Sequence, residues 1–312
     1  MASLREIKDR IGSVRSTLKI TSAMKLVASA KLHKAQQAVE TLRPYEATLS
    51  SILADVRAAA PGSCPSASVP VHGASAPGRV AIVAAASNSS LCGAFNINVF
   101  KRTMAEIASC GAPVDVFPIG RRIADSLRKA GHDSSGGDLN NLVAHPSYEQ
   151  AGELAQTLID AYNSGVYSRI VLIYNHFVSI SRQEVVTETY LPSVLSEPAP
   201  GSEPSALSEP SPCHSESSPC HSERSEESAP DYIFEPSAAL IAQQLLPQVM
   251  RLKIYAMLLD SVAAEHAART IAMQTATDNA EDILAELTLE YNKGRQQQIT
   301  SEILDIVGGS QK

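Results

Sequence analysis

Apolar side chains recur along the first 42 residues in steps of three and four: Leu4, Ile7, Ile11, Val14 and Leu18, then Thr21 and Lys25, then Ala28, Leu32, Ala35, Val39 and Leu42. A repeat of this period sets one stripe along a long helix and predicts a left-handed supercoil with a second helix. Ser3 stands at the N-cap spacing from Glu6. Thr21 and Lys25 interrupt the stripe. Either the polar pair fixes the register, or the partner helix diverges there and leaves the seam exposed, which is the simpler reading. Pro44 is expected to kink or end the helix, although Leu49, Leu53 and Val56 keep the spacing beyond it.

The same period returns at the other end of the chain. Leu245, Val249, Leu252, Ala256, Leu259 and Ala263 repeat it, small residues occupy the seam from Ala264 to Ala280, and Leu284, Leu287 and Tyr291 restore bulk. Between Gln248 and Val307 there is no proline and one glycine, Gly294, and the stretch stops at Gly308-Gly309. An unbroken helix of that length is roughly 90 Å long, more than a domain of this chain can cover. After Tyr291 the stripe fades into Lys293, Arg295, Gln296, Gln297 and Gln298, as expected of a helix that has outrun its partner. Both long helices join the middle of the chain, so they share one base and must run antiparallel. The carboxyl end, longer by sequence, should project beyond the amino-terminal helix.

Between them the texture changes. Val80–Ala86 is an apolar run of buried-strand type, Phe95–Ala108 a helix, Val114–Ile119 a strand, Arg121–Lys129 and Tyr148–Asn163 helices, Arg169–Tyr174 a strand, and Gln183–Leu191 an alternating strand near an edge. Strands alternating with helices of this length predict a parallel sheet covered on its faces. The fold class is therefore α/β with long helices: an antiparallel coiled coil of the N- and C-terminal helices plus a Rossmann-like α/β domain. The expected divisions are a coiled-coil helix over 1–56, a linker over 57–78, an α/β foot over 79–195, a disordered low-complexity insert over 196–230, and a coiled-coil helix over 231–312, with Pro236 in its first turn and a kink at Pro247.

Charge sharpens this division. The chain carries a formal net charge of −7, but the 196–230 segment supplies most of it through seven Glu against one Arg. Its Ser-Glu-Pro and Ser-Pro-Cys-His-Ser-Glu repeats cannot bury enough apolar surface to offset chain entropy. The first 43 residues hold nine Lys or Arg against three acidic residues, a basic rod that suits an acidic partner. No run approaches the ~18 apolar residues that a membrane span needs, and charges recur every few residues at the amino end, so a cytoplasmic-type chain is expected. Five cysteines without a framework spacing do not predict a disulfide-held fold.

Chemistry is scarcely signalled. The turns of the α/β region contain no G-x-G-x-x-G, no G-x-x-x-x-G-K-[ST] and no G-x-S-x-G, so no phosphate cradle or nucleophile elbow is expected. Cys92, beside Gly93 and ahead of a helix, reads as a tolerated thiol because no His or Asp stands at a recognisable spacing from it. His132 and Asp133 read as loop residues. Cys213, His214, Cys220 and His221 lack zinc-finger spacing. No catalytic residue, metal or cofactor is assigned.

Two long motifs at opposite ends then carry a resemblance. Leu4-Arg-Glu-Ile-Lys-Asp-Arg-Ile11, Thr17-Leu-Lys-Ile-Thr-Ser-Ala-Met-Lys25, Val27-Ala28 and Lys31-Leu32 closely resemble the amino-terminal signature of the gamma subunits of F-type ATP synthases. Glu265-His-Ala-Ala-Arg269, Ala272-Met273, Ala276-Thr-Asp-Asn-Ala280, Tyr291-Asn-Lys293, Arg295-Gln296, Ile299-Thr300 and Ile306-Val-Gly-Gly309 are similar to that family's carboxyl-terminal signature.

The resemblance implies a non-catalytic rotor subunit. Its partners are a hexamer of alpha and beta subunits around the coiled coil, and an epsilon subunit and a ring of c subunits at the foot. Nucleic acid is not a partner, and membrane association runs through the complex alone, on the cytoplasmic side of a bacterial inner membrane. Met24 and Lys25, with Arg269 on the facing helix, are implied to lie where the shaft passes the lower parts of the beta subunits. Arg295, Gln296 and Thr300 are implied to form an upper contact with a beta-subunit loop, against the alternative of a solvated helix face. Two departures stand out. Ser89-Ser90 replaces the Arg-Gly that the family commonly places before Leu-Cys-Gly. The 196–230 insert follows Leu191-Pro192, where the chloroplast branch carries an insertion with a regulatory cysteine pair that Cys213 and Cys220 do not match. A free-standing coiled-coil adaptor and an enzyme built on the α/β domain are the competing readings.

Overall fold

The computed structural model describes residues 4–59, 78–132, 135, 137, 139–192, 235 and 237–309. The expected N-cap at Ser3, most of the linker, Asp133, the 196–230 insert with its two Cys-His pairs, and Pro236 lie outside them. Helix α1 (Leu4–Ala59) and helix α6 (Ala238–Gly309) are the two long elements. Between them run β1 (Arg79–Ala85), α2 (Phe95–Cys110), β2 (Val114–Ile119), α3 (Arg121–Lys129), a one-turn α4 (Asn141–Ala144), α5 (Tyr148–Asn163), β3 (Tyr167–Phe177) and β4 (Gln183–Leu191).

The expected stripe on α1 is a seam: Ile7, Ala28, Leu32, Ala35 and Val39 are buried, and the remaining stripe positions are half-buried. Its register with α6 is constant. Leu4 packs on Gly294, where an added Cβ would come 2.9 Å from the leucine tip, and the hydroxyls of Thr21 and Thr277 lie 3.0 Å apart. The step from Leu4 to Thr21 equals the step from Gly294 back to Thr277. The seam is therefore closed at Thr21, and the expectation of a diverging partner there is corrected: the two hydroxyls meet across it, and each also reaches a backbone carbonyl of its own helix, Leu18 for Thr21 and Met273 for Thr277. Nearer the base, Ala35 and Val39 cluster with Leu259 and Ala263, and Leu49 and Leu53 with Val249 and Leu252.

Neither proline ends its helix. Pro44 lies inside α1 and Pro247 inside α6. A mid-helix proline removes one backbone hydrogen bond and costs on the order of 3 kcal/mol. The Leu49–Leu53–Val249–Leu252 cluster just beyond Pro44 holds the chain helical regardless, each buried leucine contributing about 1.5–3 kcal/mol.

The sheet order is β2-β1-β3-β4. β1 pairs in parallel with β2 and with β3, whereas β4 pairs antiparallel to β3 at the edge, so the sheet is mixed. β1 is buried on both faces. Ala81, Val83 and Ala85 meet Leu154, Ala155 and Leu158 of α5 together with Met250, Ile254 and Leu258 of α6. Val80, Ile82 and Ala84 meet Val99 of α2 and Ile123 and Leu127 of α3. Gly120, at φ 109°, closes the turn into α3 with its Cα against the Ala86 carbonyl, a place where no side chain fits.

α6 thus serves two cores. One face joins α1, and another, carrying Met250, Ile254, Met257 and Leu258, joins the sheet, where the Tyr190 hydroxyl donates to the Met250 carbonyl at 3.0 Å. A cluster of ionic groups ties the three layers at their junction. Lys253 bonds Glu188 of β4 at 2.7 Å and lies 3.9 Å from Glu46 of α1, and Asp260 pairs with His176 of β3 and, at 3.9 Å, with Arg43 of α1.

Candidate functional site

Two surfaces collect the residues singled out above. The lower one is a groove of about 310 Å³ lined by Ala23, Met24, Val27, Ala28, Lys31, Ser89, His266 and Arg269. Its α1 wall carries Met24 and the exposed Val27, and Ile20 and Leu26 of the same helix are also exposed. Met24 and Lys25 are both half-buried, and Lys25 has no ion-pair partner among the described residues. These exposed apolar side chains lie outside the buried core.

The α6 wall is electrostatically organised. Arg269 is 8% exposed and its guanidinium is fully engaged: Nη1 bonds Glu265 at 2.8 Å, one helical turn away, and Nη2 donates to Ser89 Oγ at 2.7 Å. Burial pushes the Glu265 carboxyl up from its ordinary value, against the pull of Arg269 and Lys31. His266 between them is depressed to about 4, first by burial and then by the two neighbouring cations, Arg269 and Lys31. It is therefore neutral at pH 7, with Nδ1 3.4 Å from the Arg269 guanidinium. Arg269 and Met24 both line the groove, and Lys25 is not part of its lining.

Ser89 belongs to the loop joining β1 to α2, which is held throughout by hydrogen bonds. Ser87 Oγ donates to the Ser89 carbonyl at 2.7 Å, Asn88 Nδ2 to the Asn140 carbonyl at 2.8 Å, and Asn96 Nδ2 to Cys92 Sγ at 3.1 Å. Cys92 is buried against Phe95 and Ala264, which makes it a packing residue, as its isolation in the sequence implied. Leu91 carries φ 68° and is more than half exposed. A leucine in the left-handed region costs on the order of 1–2 kcal/mol and persists only where its surroundings hold it.

The upper surface is the part of α6 beyond Gly294. Arg295, Gln296 and Thr300 are all exposed there, with the Thr300 hydroxyl donating to the Gln296 carbonyl at 2.9 Å. The fading of the apolar stripe proves local. It resumes uncovered at Ile299, Ile303, Leu304, Ile306 and Val307, which are 47% to 72% exposed. Their spacing gives the projecting tip an apolar face of its own, a signal visible in the sequence and passed over in favour of the polar run before it.

Sequence comparison agrees in full length. A family model described as ATP synthase matches residues 3–311. The ATP synthase gamma chain of Bacteroides thetaiotaomicron is 45% identical over 318 residues, covering 99% of each chain. That of Flavobacterium johnsoniae is 40% identical over 312 residues, covering 100% of this chain and 99% of its own. Among solved structures, a chain of the Euglena gracilis mitochondrial ATP synthase OSCP/F1/c-ring assembly matches with a TM-score of 0.61 at 16% identity, over 99% of this chain and 93% of its own. A chain of the rotor of the same synthase matches with a TM-score of 0.57 at 14% identity, over 95% and 98%. At these identities the structural likeness speaks to the fold, while the full-length sequence identity decides the family: the chain belongs to the ATP synthase gamma chains.

Proposed function

We propose that this chain is the central rotor shaft of a proton-translocating F-type ATP synthase, coupling rotation of a membrane ring of c subunits to the conformational cycling of catalytic beta subunits. The observation that carries the reading is the shaft itself. An antiparallel two-helix coil in constant register ends in a single projecting helix whose apolar face nothing among the described residues covers. An apolar face of this size on a soluble element requires a partner, and a ring of alpha and beta subunits around the tip supplies one.

The mechanism is mechanical. The coil and the foot are asymmetric about the shaft axis, so each orientation presents different side chains to each beta subunit. Different contacts shift the relative stabilities of that subunit's conformations, and rotation moves the preference from one subunit to the next. In this reading Met24 and Lys25 act at the lower surface, and Arg295, Gln296 and Thr300 at the upper. Arg269 backs the lower groove. Bond chemistry belongs to the beta subunits, and the foot faces the epsilon subunit and the c ring on the cytoplasmic side of the membrane. No helix of the described residues is long and apolar enough to cross a membrane, which fits attachment through the complex.

The test is reconstitution with the alpha and beta subunits of the same source. A stable complex whose ATP hydrolysis requires this chain is expected. Hydrolysis that is unchanged when the chain is omitted overturns the proposal, and self-association of the chain without binding alpha or beta would favour the adaptor reading.

A further inference from the structure

The foot and the coil meet in two ways near the lower groove. One is apolar: Cys92 and Phe95 pack on Ala264, with Ala268 beside them. The other, among the described residues, is a polar bond from Arg269 of α6 to Ser89 of the loop after β1, across 180 positions of sequence. Arg269 is locked on its own helix by Glu265, and Ser89 is locked on the foot by Ser87, whose hydroxyl holds the Ser89 carbonyl. Arg269 is thus fixed on α6 and Ser89 within the loop after β1. The loop they hold carries Leu91, kept in a left-handed conformation and turned outward.

We propose that Ser89 and Arg269 form a latch that fixes the loop between β1 and α2 to the shaft, so that the loop, with Leu91 at its tip, turns with the coil as one body. Ser89 is a positioning residue in this assignment. It touches no reacting group and acts by denying the loop a rotation of its own relative to α6. The inference rests on the rotor reading and adds to it a residue that the family resemblance marked only as a departure. It also gives Arg269 an internal partner in place of a direct contact with a neighbouring subunit, in keeping with its burial. A charge-assisted hydrogen bond between two immobilised groups is short and directional, which is what a rigid link between a loop and a helix requires.

Arg269 itself is a poor test, because its removal strands the buried Glu265 carboxylate and endangers folding. Ser89→Ala removes the acceptor and leaves that ion pair intact, and Ser89→Thr keeps it. The experiment uses the full synthase carrying each variant, in sealed vesicles, with ATP hydrolysis and ATP-driven proton pumping measured on the same preparation. For Ser89→Ala the expected result is hydrolysis within about twofold of the parent and a ratio of pumping to hydrolysis lowered about threefold or more. Ser89→Thr is expected to restore the ratio to within about twofold. An unchanged ratio in Ser89→Ala overturns the latch, as does a lowered yield of complex with the ratio intact, which is the mark of a purely structural role. Failure of the parent chain to support any pumping is a different outcome and overturns the rotor reading beneath it.

Discussion

His266 stands where three charged groups, Lys31, Glu265 and Arg269, converge, and its depressed pKa of about 4 makes the lower groove sensitive to acid. Relative to its ordinary value of 6.5, the unfolded chain binds the proton more tightly, so the stability that the neutral ring contributes is complete above about pH 6.5 and is lost as pH falls toward 4. The ring is partly solvated, which reduces the effect. Thermal unfolding of the isolated chain at pH 7 and pH 5 should show a drop in midpoint that is smaller, by about 2–4 °C, in His266→Asn than in the parent; an equal drop in both would place the acid sensitivity elsewhere. Gly120 makes a sharper prediction. A Cβ there would sit 2.2 Å from the Ala86 carbonyl oxygen, at φ 109°, and neither backbone can yield cheaply. Gly120→Ala is expected to cost about 3 kcal/mol or more by chemical denaturation, and a loss below about 1 kcal/mol would contradict the geometry. Met24→Lys, by contrast, places a cation in the lining of the groove, next to Lys25 in sequence. It should impair proton pumping more than assembly of the complex, and an equal loss of both would count against a sliding contact there.

At the scale of elements, the projecting tip of α6 separates folding from assembly. Ile299, Ile303 and Val307 are exposed and belong to no buried cluster among the described residues, so replacing all three by serine should change the unfolding free energy by no more than about 0.5 kcal/mol per site. The same change should weaken binding to alpha and beta subunits at least tenfold in a titration, and undiminished binding would mean that the tip is not gripped. Ala263 behaves in the opposite way. It is fully buried where α1 and α6 approach closely, and Ala263→Leu should cost about 1–3 kcal/mol through overpacking.

The elements were legible in the sequence to different depths, for physical reasons. The seam of α1 could be followed residue by residue because one face of that helix is covered and the other is not. β2, α3, α5 and β4 fall at the residues their patterns indicated. β3 runs from Tyr167 to Phe177, longer than the apolar run at its centre, because Asn175 and His176 extend it by pairing with β4. The double role of α6 was hidden: from Met257 to Ala267 it is buried on nearly every side, with Asp260, Ser261 and Glu265 among the buried residues, and a period cannot be read where every phase is covered. The Ser89–Arg269 bond was out of reach for another cause, since nothing in either local stretch encodes a contact made across the whole foot.

At the scale of the molecule, the order in which the chain is used matters more than any single contact. Its two ends make the shaft and its middle makes the foot, so the coil forms only once residues separated by most of the chain have met. Such contacts are slow to form. The foot, with its local strand-helix pairs, is therefore expected to gain amide protection earlier in refolding than Leu4–Leu18 of α1, which pulse-labelling exchange can measure. Protection of the two regions in a single step would refute this order.

Because α6 belongs to the foot's core and to the coil at once, no joint separates the part that is driven from the part that drives. Load entering at the sheet crosses the ionic junction and the doubled helix without meeting a linker, and first finds a compliant section beyond Gly294, where one helix continues alone. In the rotor reading, twist applied at the foot is therefore taken up first by that last length of helix, where no second described helix shares it.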